Sequence, residues 1–111
     1  MVDLTFLKKF TKDDPIKMKR YISLYLDVSP KTFAEMQRNL HNEDWEQLRI
    51  NAHSLKPQAD FMGISSLKEA LIIIEEAAQA NNLDGIEKLV NASHEIAIDS
   101  ENRLKKMLDQ L

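Results

Sequence analysis

The sequence predicts an all-α fold: an antiparallel four-helix bundle with a short additional N-terminal helix. Three observations predict it. Apolar residues recur at alternating spacings of three and four along most of the chain, the period of a single buried helix face. Only two Gly and three Pro occur in 111 residues, so the connections are few and short. Runs of alternating β-branched residues, which strands favour, are scarce. Hydrophobic residues at 43% and charged residues at 30% suit one core under a well-solvated surface. A chain of this length is expected to form one domain covering residues 1–111.

The first element, Asp3 to Phe10, reads as a short helix with Asp3 as N-cap and Leu4, Leu7 and Phe10 on one side. Thr11 to Asp14 breaks it. Asp14 then caps a second helix with Pro15 at its first position, where a missing N–H costs nothing. Ile16, Tyr21, Ile22, Tyr25, Leu26 and Val28 form its apolar stripe, which Phe33, Met36 and Leu40 continue beyond Ser29-Pro30. That pattern fits either a kinked pair or one long helix.

After a turn at His41–Asp44, a third helix runs from about Asp44 to Met62, with Trp45, Leu48, Ala52, Leu55, Ala59 and Met62 as its seam. Gly63 suits the left-handed residue that ends such a helix, with Ile64 folding back as its apolar partner. Ser66 and Glu69 read as a capping box opening a fourth helix, whose buried side is Leu67, Ala70, Leu71, Ile74 and Ala78. Asn81 and Asn82 close it. Asp84 is the expected cap of a long last helix marked by Ile86, Leu89, Val90, Ile96, Ala97, Leu104 and Leu108.

Composition excludes several function classes. A formal charge of −3 lacks the basic footprint of a nucleic-acid binder. The cluster Lys17-Met18-Lys19-Arg20 reads as a solvated helix face. Without cysteine there is neither a disulfide framework nor a thiolate metal site. Asp3, Lys8 and Lys9 interrupt any signal-peptide core, and the apolar run Ala70–Ile74 is far short of the ~20 residues that span a bilayer. A cytoplasmic protein without membrane contact is expected. No Glu-x-x-His pair, His-Glu-x-x-His, Gly-rich phosphate loop or Gly-x-Ser-x-Gly elbow occurs, so no bound metal, cofactor or hydrolase centre is expected.

Of the three histidines, His41 and His94 read as ordinary surface residues. His53 is different: on a wheel of 100° per residue it points roughly 135° away from the buried seam of its helix. Arg49 and Lys56, at i−4 and i+3, share that surface. Flanking cations disfavour a protonated imidazole and favour an anionic group attached to it.

The longer string Asp44-Trp45-x-x-Leu48-x-x-x-Ala52-His53-Ser54-Leu55-Lys56, followed by Gly63 and Leu67, resembles the signature of histidine phosphotransfer (HPt) domains. The core of that signature is His, Lys three residues on, and Gly ten residues after the His. The motif covers about a quarter of the chain, and the predicted bundle extends the resemblance to the whole. It implies that His53 is phosphorylated, at Nε2, that Lys56 neutralises phosphoryl oxygens, and that Gly63 is the small residue after the active-site helix. It further implies that Glu75, on the next helix, accepts from the imidazole Nδ1–H. Adjacent Glu76 leaves a one-residue ambiguity there, and the alternative is that Glu75 is simply an exposed helical residue.

One position departs from the family pattern. Pro57 stands where a small residue is usual, and it has no N–H to offer the His53 carbonyl, so the helix is expected to kink there. Gln58 is a candidate donor to a phosphoryl oxygen. Phe61 is either a docking contact or, turned by the kink, part of the core; Arg49 is a second docking candidate.

The implied function is a phosphocarrier without kinase activity of its own. It would take a phosphoryl group from the aspartate of one response-regulator receiver domain, or of a hybrid histidine kinase, and pass it to another receiver. Mg²⁺ is expected in the receiver. A monomer is expected, and Met1 with a full set of helices suits a free-standing carrier more than a piece of a hybrid kinase. The alternatives are a non-catalytic helical interaction module and an inhibitor that binds a kinase or receiver without transfer.

Overall fold

The computed structural model describes residues 1–111 as five helices without strands. α1 is Thr5–Phe10, α2 Pro15–His41, α3 Trp45–Phe61, α4 Ser65–Gln79 and α5 Ile86–Asp109. α2 packs on α3, α3 on α4, α4 on α5 and α5 back on α2, which closes a ring of four. α1 lies at the end where α2 begins and α3 finishes, with Leu4 and Leu7 in the core. The molecule measures 43 × 19 × 19 Å, and the long axis matches the ~40 Å expected of a helix as long as α2. No helix is long and apolar enough to cross a membrane.

Most helix ends follow the sequence. The Asp14 carboxylate accepts from the amides of Ile16 (3.0 Å) and Lys17 (3.4 Å), with Pro15 at the first position of α2. Asp44 accepts from the Gln47 amide at 3.1 Å to open α3. Asn81 takes a positive φ of 56° at the end of α4, and the Asn82 amide donates to the Ala77 carbonyl at 2.9 Å. α2 is one helix through Pro30, and α3 is likewise continuous through Pro57. Ala59 and Met62 remain buried beyond Pro57, so any bend there leaves the seam of Leu48, Ala52 and Leu55 in phase.

Several expectations need correction. Asp3 accepts from the Thr5 amide at 3.0 Å and the Thr5 hydroxyl at 2.5 Å, but the helix begins only at Thr5, with Leu4 in the capping position. Phe10 is exposed, because it sits about 90° around the helix from the direction Leu4 and Leu7 share. Ile16 is exposed too, lying roughly 200° from buried Met18 on the same wheel. The Ser66–Glu69 capping box does not form: the chain turns so tightly that Ile64 occupies the cap position and Ser66 falls inside α4. Asp84 caps nothing, since Gly85, at φ +74°, precedes the first residue of α5. His41 is the exposed last residue of α2 rather than part of a loop. His94 is half-buried and stacks on fully buried Phe33, ring centroids 4.9 Å apart.

The core also contains polar groups that the apolar pattern conceals. Ser29 of α2 donates to the buried Glu101 carboxylate of α5 at 2.8 Å. Beside them the Tyr25 hydroxyl is buried without a hydrogen-bond partner, and burial pushes its pKa up to about 12.

The corner between α3 and α4 has two constraints in one residue. Gly63 has φ +69°, and the Ile64 amide donates to the Ala59 carbonyl at 3.0 Å, the six-to-one bond of a left-handed helix terminus. The N-terminal segment crosses the same point, where the Asp3 amide donates to the Gly63 carbonyl at 3.1 Å. A Cβ on Gly63 would lie 1.7 Å from the Asp3 carbonyl oxygen. Gly63→Ala is therefore expected to lower stability by at least about 2 kcal/mol in urea denaturation, adding left-handed strain to displacement of the segment. Hydrogen exchange at the Asp3 amide should accelerate in parallel; an unchanged midpoint would show that the corner tolerates a side chain.

Candidate functional site

Antiparallel helices joined by a tight corner bring together residues nearly equidistant from it. Ile64 is the midpoint between His53 and Glu75, and the pairing follows from that register. The same symmetry pairs Asp60 with Lys68 across the corner at 3.2 Å.

His53 extends from the outer face of α3 with 63% of its side chain exposed, as the wheel predicts. Its Nδ1 lies 2.6 Å from Oε2 of Glu75, whose side chain is only 14% exposed. A carboxylate can only accept, so this contact puts a ring proton on Nδ1, and in the neutral ring the lone pair then lies on Nε2. The other Glu75 oxygen, Oε1, accepts from Lys56 Nζ at 2.9 Å. The neighbouring Glu76 is exposed. One carboxylate on α4 thus holds both an imidazole and an ammonium from α3.

The electrostatics follow from this arrangement. The hydrogen bond from Lys56 is the main cause holding the Glu75 carboxyl below its ordinary range; burial opposes it, and the His53 contact adds to it. The setting of two cations expected around His53 is therefore corrected: its nearest charged neighbour is an anion. Arg49 forms a two-pronged pair with Glu46, Nε at 3.2 Å and a terminal nitrogen at 2.7 Å. That pair raises the Arg49 pKa and lowers that of Glu46, and Glu75 contributes a smaller pull on Arg49.

The remaining sequence candidates are spread along α3. Pro57 is exposed one turn beyond His53. Gln58 is not brought to the imidazole; its amide nitrogen donates to the Ser54 carbonyl at 3.3 Å. Five residues from His53, it lies roughly 140° around the helix. Gly63 shapes the site from a distance through the corner. Phe61 is neither free nor in the core. It is half-buried at the centre of an aromatic cluster, 5.3 Å from Phe6, 5.2 Å from Phe10 and 5.4 Å from Tyr21 between ring centroids.

Sequence reasoning missed this cluster, although Phe6 and Phe10 stand four apart on α1 and share a face. With Leu24 exposed nearby on α2, a groove of about 290 Å³ opens between Tyr21, Leu24, Pro57 and Phe61. The engagement of Lys56 by Glu75 was also unforeseen. No group of three or more His, Asp or Glu side chains is arranged to hold a metal ion.

A family model for the Hpt domain matches residues 20–111. Among solved structures, histidine-containing phosphotransfer protein B (HptB) from Pseudomonas aeruginosa PAO1 superposes with a TM-score of 0.92 at 18% sequence identity, over 99% of this chain and 96% of that one. That likeness is one of fold. A search of curated proteins gave no significant match.

Because Glu75 is held low, its ionised form stabilises the fold fully above the ordinary glutamate range, about pH 4.3, and the contribution is lost as pH falls through the depressed value. In a carbon-detected NMR titration, Glu75 should titrate below the other glutamates engaged in no ion pair. Lys56→Met should raise its midpoint more than His53→Gln does. The reverse order would show that the imidazole, not the ammonium, is its principal partner.

Proposed function

The chain belongs to the Hpt domain family, and from that membership we propose that it is a phosphocarrier, accepting a phosphoryl group on His53 Nε2 from a receiver-domain aspartate and delivering it to another receiver. The single observation that carries this reading is the Glu75–His53 contact at 2.6 Å, which favours the Nδ1–H tautomer of the neutral ring and leaves Nε2 of this exposed side chain as the nucleophile.

In the acceptance step the Nε2 lone pair attacks phosphorus in line. An Nε2–P bond forms, the P–O bond to the aspartate breaks, and the aspartate leaves as a carboxylate. The Nδ1 proton stays in place, held by Glu75, whose negative charge balances the positive ring that results. Delivery is the reverse process with a second receiver. Transfer of this kind depends on positioning and charge stabilisation more than on covalent chemistry by the carrier. Lys56 supplies a cation for the phosphoryl oxygens, and the receiver supplies Mg²⁺. The sequence offers no Gly-rich phosphate loop for a nucleotide, which supports a carrier rather than a kinase.

Docking is assigned to the surface that continues from His53 along α3. Ile50, His53, Pro57 and Phe61 follow one another at spacings of three and four, so they share a stripe, and Ile50 is itself exposed. The stripe ends at the aromatic cluster, where Phe6, Phe10 and Leu24 are each more than half exposed. An exposed apolar surface beside a polar centre is a docking feature in its own right.

Two outcomes test the proposal. Incubation with a phosphorylated receiver and Mg²⁺ should give acid-labile, base-stable phosphate on this chain, and His53→Gln should abolish it; label on the variant would refute His53 as the carrier. Phe61→Ala should lower kcat/KM for transfer by about fivefold or more, the scale of an interface contact worth ~1 kcal/mol. Should the rate remain at the wild-type value while the fold is intact, docking lies elsewhere.

A further inference from the structure

Lys56 poses a question of stoichiometry. Its Nζ is bonded to Glu75 Oε1 at 2.9 Å, and its side chain is only 28% exposed. The ammonium is thus already neutralised before any phosphoryl group arrives. Glu75 in turn has two donors, one on each oxygen: Lys56 on Oε1 and the imidazole on Oε2. Arg49, the other cation on this face, is paired with Glu46. Neither of the two cations that share the His53 face of α3 is free in the empty site.

A phosphoryl group on Nε2 adds a dianion to a residue one helical turn from Lys56, whose ammonium sits on the same carboxylate as the imidazole. It competes with Glu75 for Lys56, and it offers more charge and more acceptor atoms. The imidazole ring has become positive at the same moment, so Oε2 gains a stronger partner as Oε1 loses one.

We propose that Glu75 is a holding partner for Lys56, and that phosphorylation of His53 transfers the ammonium from Glu75 Oε1 to the phosphoryl group while Oε2 keeps the Nδ1 proton. This rests on the phosphocarrier reading and extends it to how the site regulates its own load. The pair that forms in the loaded state is offset by the pair broken in the empty one. Lys56 therefore contributes to phosphoryl affinity only the difference between its two partners. Such a site binds its cargo less tightly than one with a free lysine, which suits a group that must be passed on. Glu75 acts here as a positioning residue, through Lys56.

A double-mutant cycle distinguishes exchange from simple bridging. The equilibrium constant for phosphoryl transfer from a phosphorylated receiver is measured by phosphorus NMR for the wild type, Lys56→Met, Glu75→Gln and the double variant. Glutamine keeps an acceptor for Nδ1–H but gives up the charge that holds Lys56. Under exchange, Lys56→Met reduces the constant by a factor about fivefold larger in the Glu75→Gln background than in the wild type, the scale of one partly exposed ion pair. Equal factors in both backgrounds mean that Lys56 serves both groups at once, and the proposal is then overturned. The nitrogen chemical shift of Lys56 Nζ in the wild-type protein gives a second reading that does not depend on any variant folding. It moves on phosphorylation if the partner changes, and a shift that does not move overturns the exchange. The two failures are separable: absence of phosphohistidine in the wild type defeats the carrier reading itself, whereas labelled protein with equal factors defeats only the exchange.

Discussion

At Gly63 the chain passes through a left-handed residue with another backbone pressed against it, and the geometry of the site is set by distance from that point. The corner fixes the register of α4 on α3, and register alone decides which α4 side chain meets His53. The bond from the Asp3 amide to the Gly63 carbonyl ties the N-terminal segment to the same place. α1 follows immediately, so the corner also positions the aromatic residues that extend the surface beyond His53. A backbone constraint without chemistry of its own thus positions both the His53–Glu75 pair and the aromatic face beside it.

Much of this was legible in the sequence because helical periodicity is a strong local signal. Of the seam read from Trp45 to Met62, Leu48, Ala52, Leu55, Ala59 and Met62 are buried and Trp45, at the helix start, is half-buried; the exposure of His53 follows from the same wheel. Capping was less legible. Asp14 and Asp44 act as read, but the Ser66–Glu69 pattern is a decoy, because the tertiary corner starts the helix before the local signal does. A capping box states a preference; a chain fold-back held by a six-to-one backbone bond overrides it. Phe10 and Ile16 mark the other limit. Near the ends of short or terminal helices, few buried neighbours fix the phase of the apolar stripe.

The electrostatics were the least legible part. Spacing along one helix showed Arg49 and Lys56 beside His53, and from α3 alone the surroundings look cationic. The ruling anion comes from another helix, and the sequence can supply its identity only through family resemblance. Once Glu75 is in place, each cation has a defined role: Lys56 on Glu75, Arg49 on Glu46. The same reasoning separates Glu75 from Glu76. They differ by one position in sequence but by roughly 100° in direction, which is the difference between touching the imidazole and facing water.

That angle has a consequence for how such a chain can change over time. Exposed side chains between His53 and Glu75 can be exchanged one by one, provided Lys56, Phe61, Gly63 and the buried positions are kept. The length of the segment cannot. Deleting or inserting a single residue within α3 after His53, or within α4 before Glu75, shifts the helical phase between them by roughly 100°, so that the His53–Glu75 contact and the burial of Leu67, Leu71 and Ile74 can no longer both be kept. The segment therefore tolerates substitution more readily than insertion or deletion, a fixed-length spacer between the imidazole of His53 and the carboxylate of Glu75.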